Sequence, residues 1–228
     1  MAQLVAGHAS ADGVAKNQPA KLAALEGHFE KEAPADLYLF GWVDKESQEV
    51  SGLAIPGGLS FLIDQDFETP VTGLNAFPED ERPSQINAVF QFYHLMIAIG
   101  MFLIALSLYA CYLLWRKELF NKRWLLWVFV FTALLPQIAN QVGWFAAEMG
   151  RQPWVVYGLL RTDEAFSQAV SANQILFSLI LFMAVYSLLF VLFVYLLNKK
   201  IKHGPYEEAQ DDDDNRPLTK EISQAVTG

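Results

Sequence analysis

The sequence predicts an all-α integral membrane protein, a helical-bundle segment with three transmembrane helices and a long outer-face loop ahead of the first. Three observations carry this. The chain has 228 residues, of which 53% are hydrophobic and only 18% charged. The apolar residues gather in blocks at about 88–115, 124–147 and about 175–197, each long enough to cross a hydrocarbon core of ~30 Å, which takes about 20 helical residues. Basic residues flank these blocks in a consistent pattern: Arg116, Lys117, Lys122 and Arg123 between the first two, and Lys199, Lys200 and Lys202 just after the third. Such clusters face the cytoplasm, so by alternation residues 1–86 and the 149–172 connection lie on the outer face, with the C-terminus inside.

Residues 1–7 lack a basic flank and read as the tail of a longer helix rather than a signal peptide. The chain is therefore expected to be the later part of a larger membrane subunit, or a split gene product. Residues 19–29 read as a helix opened by Pro19, with Leu22, Leu25 and Phe29 at apolar spacing and Gly27 weakening it. Segments 37–42 and 59–63 read as short extended pieces, and the stretch between them, with Gly52, Pro56, Gly57 and Gly58, as loop. A loop this long between membrane elements usually carries function. Region 87–202 holds the three spans.

Residues 203–228 read as a disordered acidic cytoplasmic tail. Glu207, Glu208 and Asp211 to Asp214 supply six of the negatives behind the net charge of −9. That run is a solvated terminus by composition and argues against nucleic acid as a partner. The single cysteine, Cys111, lies in the first span, so it forms no intrachain disulfide.

The polar residues inside the spans are the candidates for chemistry. Gln137, Gln141, Trp144 and Glu148 recur at i, i+4, i+7 and i+11, which puts them on one helix face. A carboxylate such as Glu148 is costly beside lipid, so this face is expected to look into protein or onto a cofactor. Arg151 and Trp154 stand beside it; Arg151 reads either as a simple charge partner or as a fork for an anionic group. Asn87, Gln91 and His94 form a second polar stripe, which reads equally as helix–helix hydrogen bonding. Met96 points away from that stripe. By composition it is a packing residue, although a thioether can serve as an axial iron ligand. Lys21 and Glu26 read as a solvated pair on the loop helix. Depth is estimated from helical rise: Met96 lies about 12 Å in from the outer end of its span, and Glu148 closes the second span on that same side.

Three motifs carry more than generic chemistry. Gly143-Trp144-Phe145-Ala146-Ala147-Glu148-Met149-Gly150-Arg151-Gln152-Pro153-Trp154 resembles the signature of subunit I of cytochrome bd-type quinol oxidases. Gln18-Pro19-Ala20-Lys21-Leu22-Ala23-Ala24-Leu25-Glu26 resembles the start of that family's quinol-binding outer loop, and Tyr93-His94-Leu95-Met96 the segment bearing its haem-binding methionine. The motifs stand in the family's order, and the resemblance extends from the first residues to about Lys202.

The resemblance implies the second, C-terminal part of a roughly nine-helix haem-bearing subunit of the short-loop branch, in a prokaryotic cell membrane. The implied activity is quinol:oxygen oxidoreduction, with quinol oxidised at the outer face, O2 reduced to water and a proton motive force generated. Met96 would ligate the iron of a low-spin haem b. Glu148 would ligate or adjoin the iron of a high-spin haem, with Trp144 packing between haems. Arg151, with Trp154 beside it, would neutralise propionates or help position Glu148. Lys21 and Glu26 would bind or deprotonate the quinol. The implied cofactors are low-spin and high-spin haem b, together with haem d or a second high-spin haem b; no copper is implied. The implied partners are the N-terminal half of subunit I, subunit II, small accessory subunits and membrane lipid. The histidine ligands and channel acids of the family's first half lie outside this chain. The alternative reading is a non-enzymatic membrane subunit of the same fold that stabilises a haem-bearing partner.

Overall fold

The computed structural model describes residues 2–166 and 169–203. The acidic tail expected at 203–228 lies outside the described residues from position 204 onward. The chain divides into two units, Met1–Phe166 and Ser167–Gly228.

The first unit begins with helices α1 (Ala2–Asn17) and α2 (Pro19–Glu26). Pro19 sits in the first turn of α2, where a missing N–H costs nothing. Gly27 ends the helix in the left-handed conformation at φ 77°, its N–H bonding the Ala23 carbonyl. A hairpin follows, β1 (Leu37–Asp44) against β2 (Glu49–Ile55), with Gly41 opposite Gly52. Next come α3 (Gly58–Asp64), the long α4 (Ile86–Trp115), α5 (Arg123–Thr132) and α6 (Leu135–Arg151), then a two-stranded β3 (Trp154–Val156) and β4 (Leu160–Arg161).

The structure corrects four expectations. Residues 59–63 are helical, inside α3, rather than extended. The Ser60 hydroxyl accepts from the Ala35 N–H at 2.8 Å and donates to the Thr69 carbonyl at 2.7 Å, so this turn is tied from both sides. Residues 49–55 form a strand rather than a loop, because Gly52 lacks the Cβ that would strike the Phe40 carbonyl and the Gly41 backbone. With two small hairpins present, the architecture is mostly helical rather than purely α. The second span is also interrupted between Thr132 and Leu135. Pro136 removes one backbone donor and its ring crowds the carbonyl four residues back, so the chain restarts as α6 with the proline in the first turn.

One core ties the loop to the spans. Ala23, Ala24, Leu25 and Phe29 pack with Val89 and Phe90 of α4 and Ala146 of α6. The small side chains of α2 let it lie close on α4. A second core, Leu106, Leu113 and Leu125, joins α4 to α5 near the other end. There Trp115, Trp124 and Trp127 are exposed beside Arg116, Lys117, Lys122 and Arg123, the pairing of aromatic and basic residues expected at a membrane–water boundary.

The second unit contains α7 (Ala172–His203), apolar along most of its length, with Lys200, Lys202 and His203 in its last turn. Among the described residues three helical stretches, Glu79–Trp115, Arg123–Arg151 and Ala172–His203, are long and apolar enough to cross a membrane. This is an integral membrane protein.

Candidate functional site

The polar stripe of α4 is not a helix–helix contact. Asn87 Oδ1 accepts from the Val43 N–H at 3.1 Å, and Gln91 Nε2 donates to the Gly41 carbonyl at 2.6 Å. His94 places Nε2 2.8 Å from the Tyr38 carbonyl and Nδ1 2.9 Å from the Phe90 carbonyl. The stripe docks strand β1, with two of that strand's carbonyls and one of its amides as partners. Neighbouring His28 is likewise a structural tie, its Nε2 2.8 Å from the Asp36 carbonyl and its Nδ1 3.1 Å from the Glu32 carboxylate.

Docking the loop this way brings α2 onto α6. A Cβ at Gly150 would lie 3.1 Å from Val89 Cγ1 and 3.4 Å from Lys21 Cγ, so the glycine makes room for the lysine stem. Lys21 thereby joins Glu148 and Arg151, which form an ion pair one helical turn apart. Burial, and next the Arg151 guanidinium, hold the Lys21 ammonium below the ordinary lysine range, partly offset by Glu148. Lys21, Arg151 and Trp154 line one cleft with Gln18, Gly150 and Tyr157. Arg151 Nε and Trp154 Nε1 are buried there without a hydrogen-bond partner among the described residues. The cleft thus offers an ammonium and two unused N–H donors, a set that suits an anionic or acceptor-rich group. Trp154 is itself fixed by Arg161, whose guanidinium lies 5.4 Å from the indole centroid and bonds the Asp80 carboxylate at 3.1 Å.

Glu26 goes elsewhere. As the last residue of α2 it is only 2% exposed, far from the solvated pair with Lys21 that the sequence suggested. Its Oε2 is buried without a hydrogen-bond partner among the described residues. Burial pushes the Glu26 carboxyl up to about 7, with the Tyr93 hydroxyl of α4 pulling the other way.

Met96 lies on the α6 side of α4. A Cβ at Gly143 would come within 2.5 Å of its Sδ, so this glycine receives the sulfur. Trp144 follows, 57% exposed and edge-on to Phe145 with ring centroids 5.4 Å apart. Gln137 and Gln141 are exposed on the same helix, so among the described residues of the first unit nothing covers this polar face of α6.

The predicted residues therefore fall in three places: Lys21 with Glu148, Arg151 and Trp154; Glu26 buried at the end of α2; and Met96 with Gly143 beside Trp144. The pairing of Lys21 with α6 was not anticipated. Gly143, Ala146 and Gly150, small residues at helical spacing, were the available signal for the close approach of α6 to α4 and α2. Among the described residues no group of three His, Cys, Asp or Glu could hold a metal ion by itself. A group held by single side-chain donors would instead find an isolated thioether at Met96, a carboxylate at Glu148 and the unused Arg151 Nε.

The chain is similar to known proteins over most of its length. The family profile of "Cytochrome bd terminal oxidase subunit I" matches residues 1–205. The "Cytochrome bd ubiquinol oxidase subunit 1" of Bacillus subtilis (strain 168) is 31% identical over 218 residues, covering 91% of this chain and 47% of that protein. The "Cytochrome bd-II ubiquinol oxidase subunit 1" of Escherichia coli (strain K12) is 27% identical over 265 residues, covering 87% and 51%. The solved structure of bd oxidase from Geobacillus thermodenitrificans superposes with a TM-score of 0.71 at 35% identity, over 89% of this chain and 46% of that one. The chain spans about half the length of the relatives it matches. With a match that runs from the loop helix through all three spans, the chain belongs to the cytochrome bd terminal oxidase subunit I family.

Proposed function

We propose that this chain forms the quinol-binding and haem-holding second half of subunit I in a bd-type quinol:oxygen oxidoreductase. The observation that carries the reading is Glu26, a buried carboxyl with one unpartnered oxygen, held on the helix that also delivers Lys21 to α6. A group so placed is a poor packing choice and a good proton acceptor. The relatives are ubiquinol oxidase subunits, which supports the substrate class.

In this reading residues 1–86 form the outer-face quinol loop, 87–202 the haem-binding region and 203–228 a cytoplasmic tail. The basic clusters at 116–123 and 199–202 face the cytoplasm. Lys21 donates to a quinol oxygen, and Glu26 takes a hydroxyl proton and releases it outside. Met96 and Glu148 would serve as iron ligands, and Arg151 and Trp154 would donate to propionates. Trp144, Gln137 and Gln141 present the uncovered face of α6 to haem or to the N-terminal half of the subunit. Low-spin and high-spin haem b, with haem d or a second high-spin haem b, supply one-electron transfer and oxygen reduction when bound. Subunit II, small accessory subunits and lipid would cover the remaining apolar surfaces. Protons for oxygen reduction drawn from the cytoplasm would generate the proton motive force.

The test is a reduced-minus-oxidised spectrum of the assembled complex together with oxygen uptake driven by quinol. Several haem bands and quinol-dependent uptake, both reduced when Glu148 and Glu26 respectively are replaced, support the oxidase. Haem bands indifferent to Met96 and Glu148 would instead support a scaffold for a haem-bearing partner.

A further inference from the structure

We propose that the basic end of α5 holds an anionic phospholipid, with its phosphate on Arg123 and an acyl chain in the groove that runs from Arg123 to Val130. The inference goes beyond the quinol and haem assignments and uses neither.

The groove follows from how α5 packs. Leu125 is buried against Leu106 and Leu113 of α4, and Val128 and Phe129 pack on the same cluster. That contact commits one face of the helix to the core. Arg123, Leu126, Trp127 and Val130 recur at i, i+3, i+4 and i+7, so they share the opposite face. Together they line an open groove of about 180 Å³. Trp127 is 63% exposed and Val130 61%, so among the described residues of the first unit nothing covers this face.

The mouth of the groove is positively charged. Lys122 and Arg123 stand at the start of α5, just after Arg116 and Lys117 at the end of α4. Arg116 is paired with Glu118 at 3.4 Å. Among the described residues the charged groups of Lys117, Lys122 and Arg123 have no hydrogen-bond or ion-pair partner. The first turn of α5 contains no acidic residue, although a helix N-terminus is the end at which cations are disfavoured. Unpaired cations gathered at that end call for an anion.

Aromatic residues fix the depth of the site. Trp115, Trp124 and Trp127 are exposed around it, and Trp124 lies beside Tyr109 with ring centroids 6.4 Å apart. Exposed tryptophans of this kind mark the boundary between headgroups and hydrocarbon. Arg123 is therefore at headgroup level, and Val130 lies about 10 Å deeper by helical rise, among acyl chains.

The two parts of the site require different chemistry, and a phospholipid carries both. The guanidinium fork of Arg123 matches the oxygens of a phosphate. Leu126, Trp127 and Val130 offer an apolar surface to a methylene chain. A zwitterionic headgroup would bring a further positive charge beside Lys122, so a headgroup of net negative charge, such as phosphatidylglycerol, is favoured. A protein helix in the same groove would have to supply carboxylates for every unpaired cation.

The experiment places the complete membrane complex in nanodiscs with phosphatidylglycerol bearing a photoactivatable diazirine on one acyl chain, and maps the adducts by peptide mass spectrometry. Segment 124–130 should be labelled, and more strongly than by phosphatidylcholine bearing the same diazirine. Removing one cation near the surface weakens such binding about fivefold, so Arg123→Gln should need about five times more labelled phosphatidylglycerol for half-maximal labelling of this segment. Val130→Trp, which fills the groove and keeps the charges, should abolish the adduct at 124–130 and spare those elsewhere. Labelling of the unmodified protein gives an answer whether or not the variants assemble. Equal labelling by the two lipids, or labelling indifferent to Arg123→Gln, reduces the groove to ordinary lipid contact and overturns the proposal. A segment 124–130 that stays unlabelled while other surfaces react is covered by another protein segment, which also overturns it. Displacement of the label by glycerol phosphate as readily as by unlabelled phosphatidylglycerol would leave a phosphate site without a chain, and overturns the lipid assignment.

Discussion

Replacing Glu26 by Gln should stabilise the protein while disabling it, and the stabilisation should depend on pH in a defined way. The carboxyl is 2% exposed and its native pKa lies at about 7, against 4.5 for the unperturbed group. Because the native pKa is the higher one, the folded state holds the proton more tightly than the unfolded state. Stability is therefore fully present below about pH 4.5 and is lost as pH rises through about 7. The difference of about 2.5 units corresponds to a penalty of roughly 3 kcal/mol once Glu26 is ionised. Gln keeps the shape and a polar amide but carries no charge, so it escapes that penalty. The assay is thermal unfolding of the purified complex followed across this pH range, for Glu26→Gln and the unmodified protein. The two should coincide near pH 4.5 and diverge by several degrees above pH 8, with quinol oxidation lost in the variant. A stability difference that does not change with pH, or a variant less stable at every pH, would refute the assignment of a buried, proton-holding Glu26.

Other expectations follow from the same contacts. Met96→Leu keeps size and polarity but removes the donor sulfur, so assembly should survive at a cost below about 1.5 kcal/mol while the low-spin haem signal shifts or disappears in the absorption spectrum. Glu148→Gln should selectively lose or perturb a high-spin haem and cut oxygen reduction. If Glu148 only pairs with Arg151, a double-mutant cycle with Arg151→Gln should show mutual rescue, with a coupling of about 1 kcal/mol or less for a pair this exposed. Gly143→Ala should push the Met96 sulfur from its seat on α6, so its spectral effect should exceed its effect on melting temperature. Gly27→Ala meets both a left-handed backbone and the Val50 and Phe90 side chains, and should destabilise by about 2 kcal/mol or more in denaturation experiments.

Much of this protein is legible in the sequence because lipid constrains every residue of a span. A run of about 20 residues without charge can be read locally, which is why the three blocks agree with the helices found. Pro19 marked the start of α2, and the segment from Gly143 to Trp154 could be singled out because its carboxylate has no business in hydrocarbon without a partner. The hairpin was less legible. Strand β2 contains Gly52, which lowers strand propensity but is required opposite Gly41, and that requirement appears only when the partner strand is known.

What only the tertiary structure decided is which polar side chains meet. Sequence spacing places Lys21 and Glu26 on one short helix and invites a surface pair; packing sends the first to Gly150 and Arg151 and buries the second almost completely. The stripe Asn87, Gln91 and His94 has the right period for a helix contact, yet its partners are carbonyls and an amide of β1, about fifty residues away in the chain. Local pattern records whether a group is polar and which helix face it occupies. Its partner depends on how closely two backbones approach, and here that distance is set by the absent side chains of Ala23, Ala24, Gly143 and Gly150, whose effect exists only across the interface between helices.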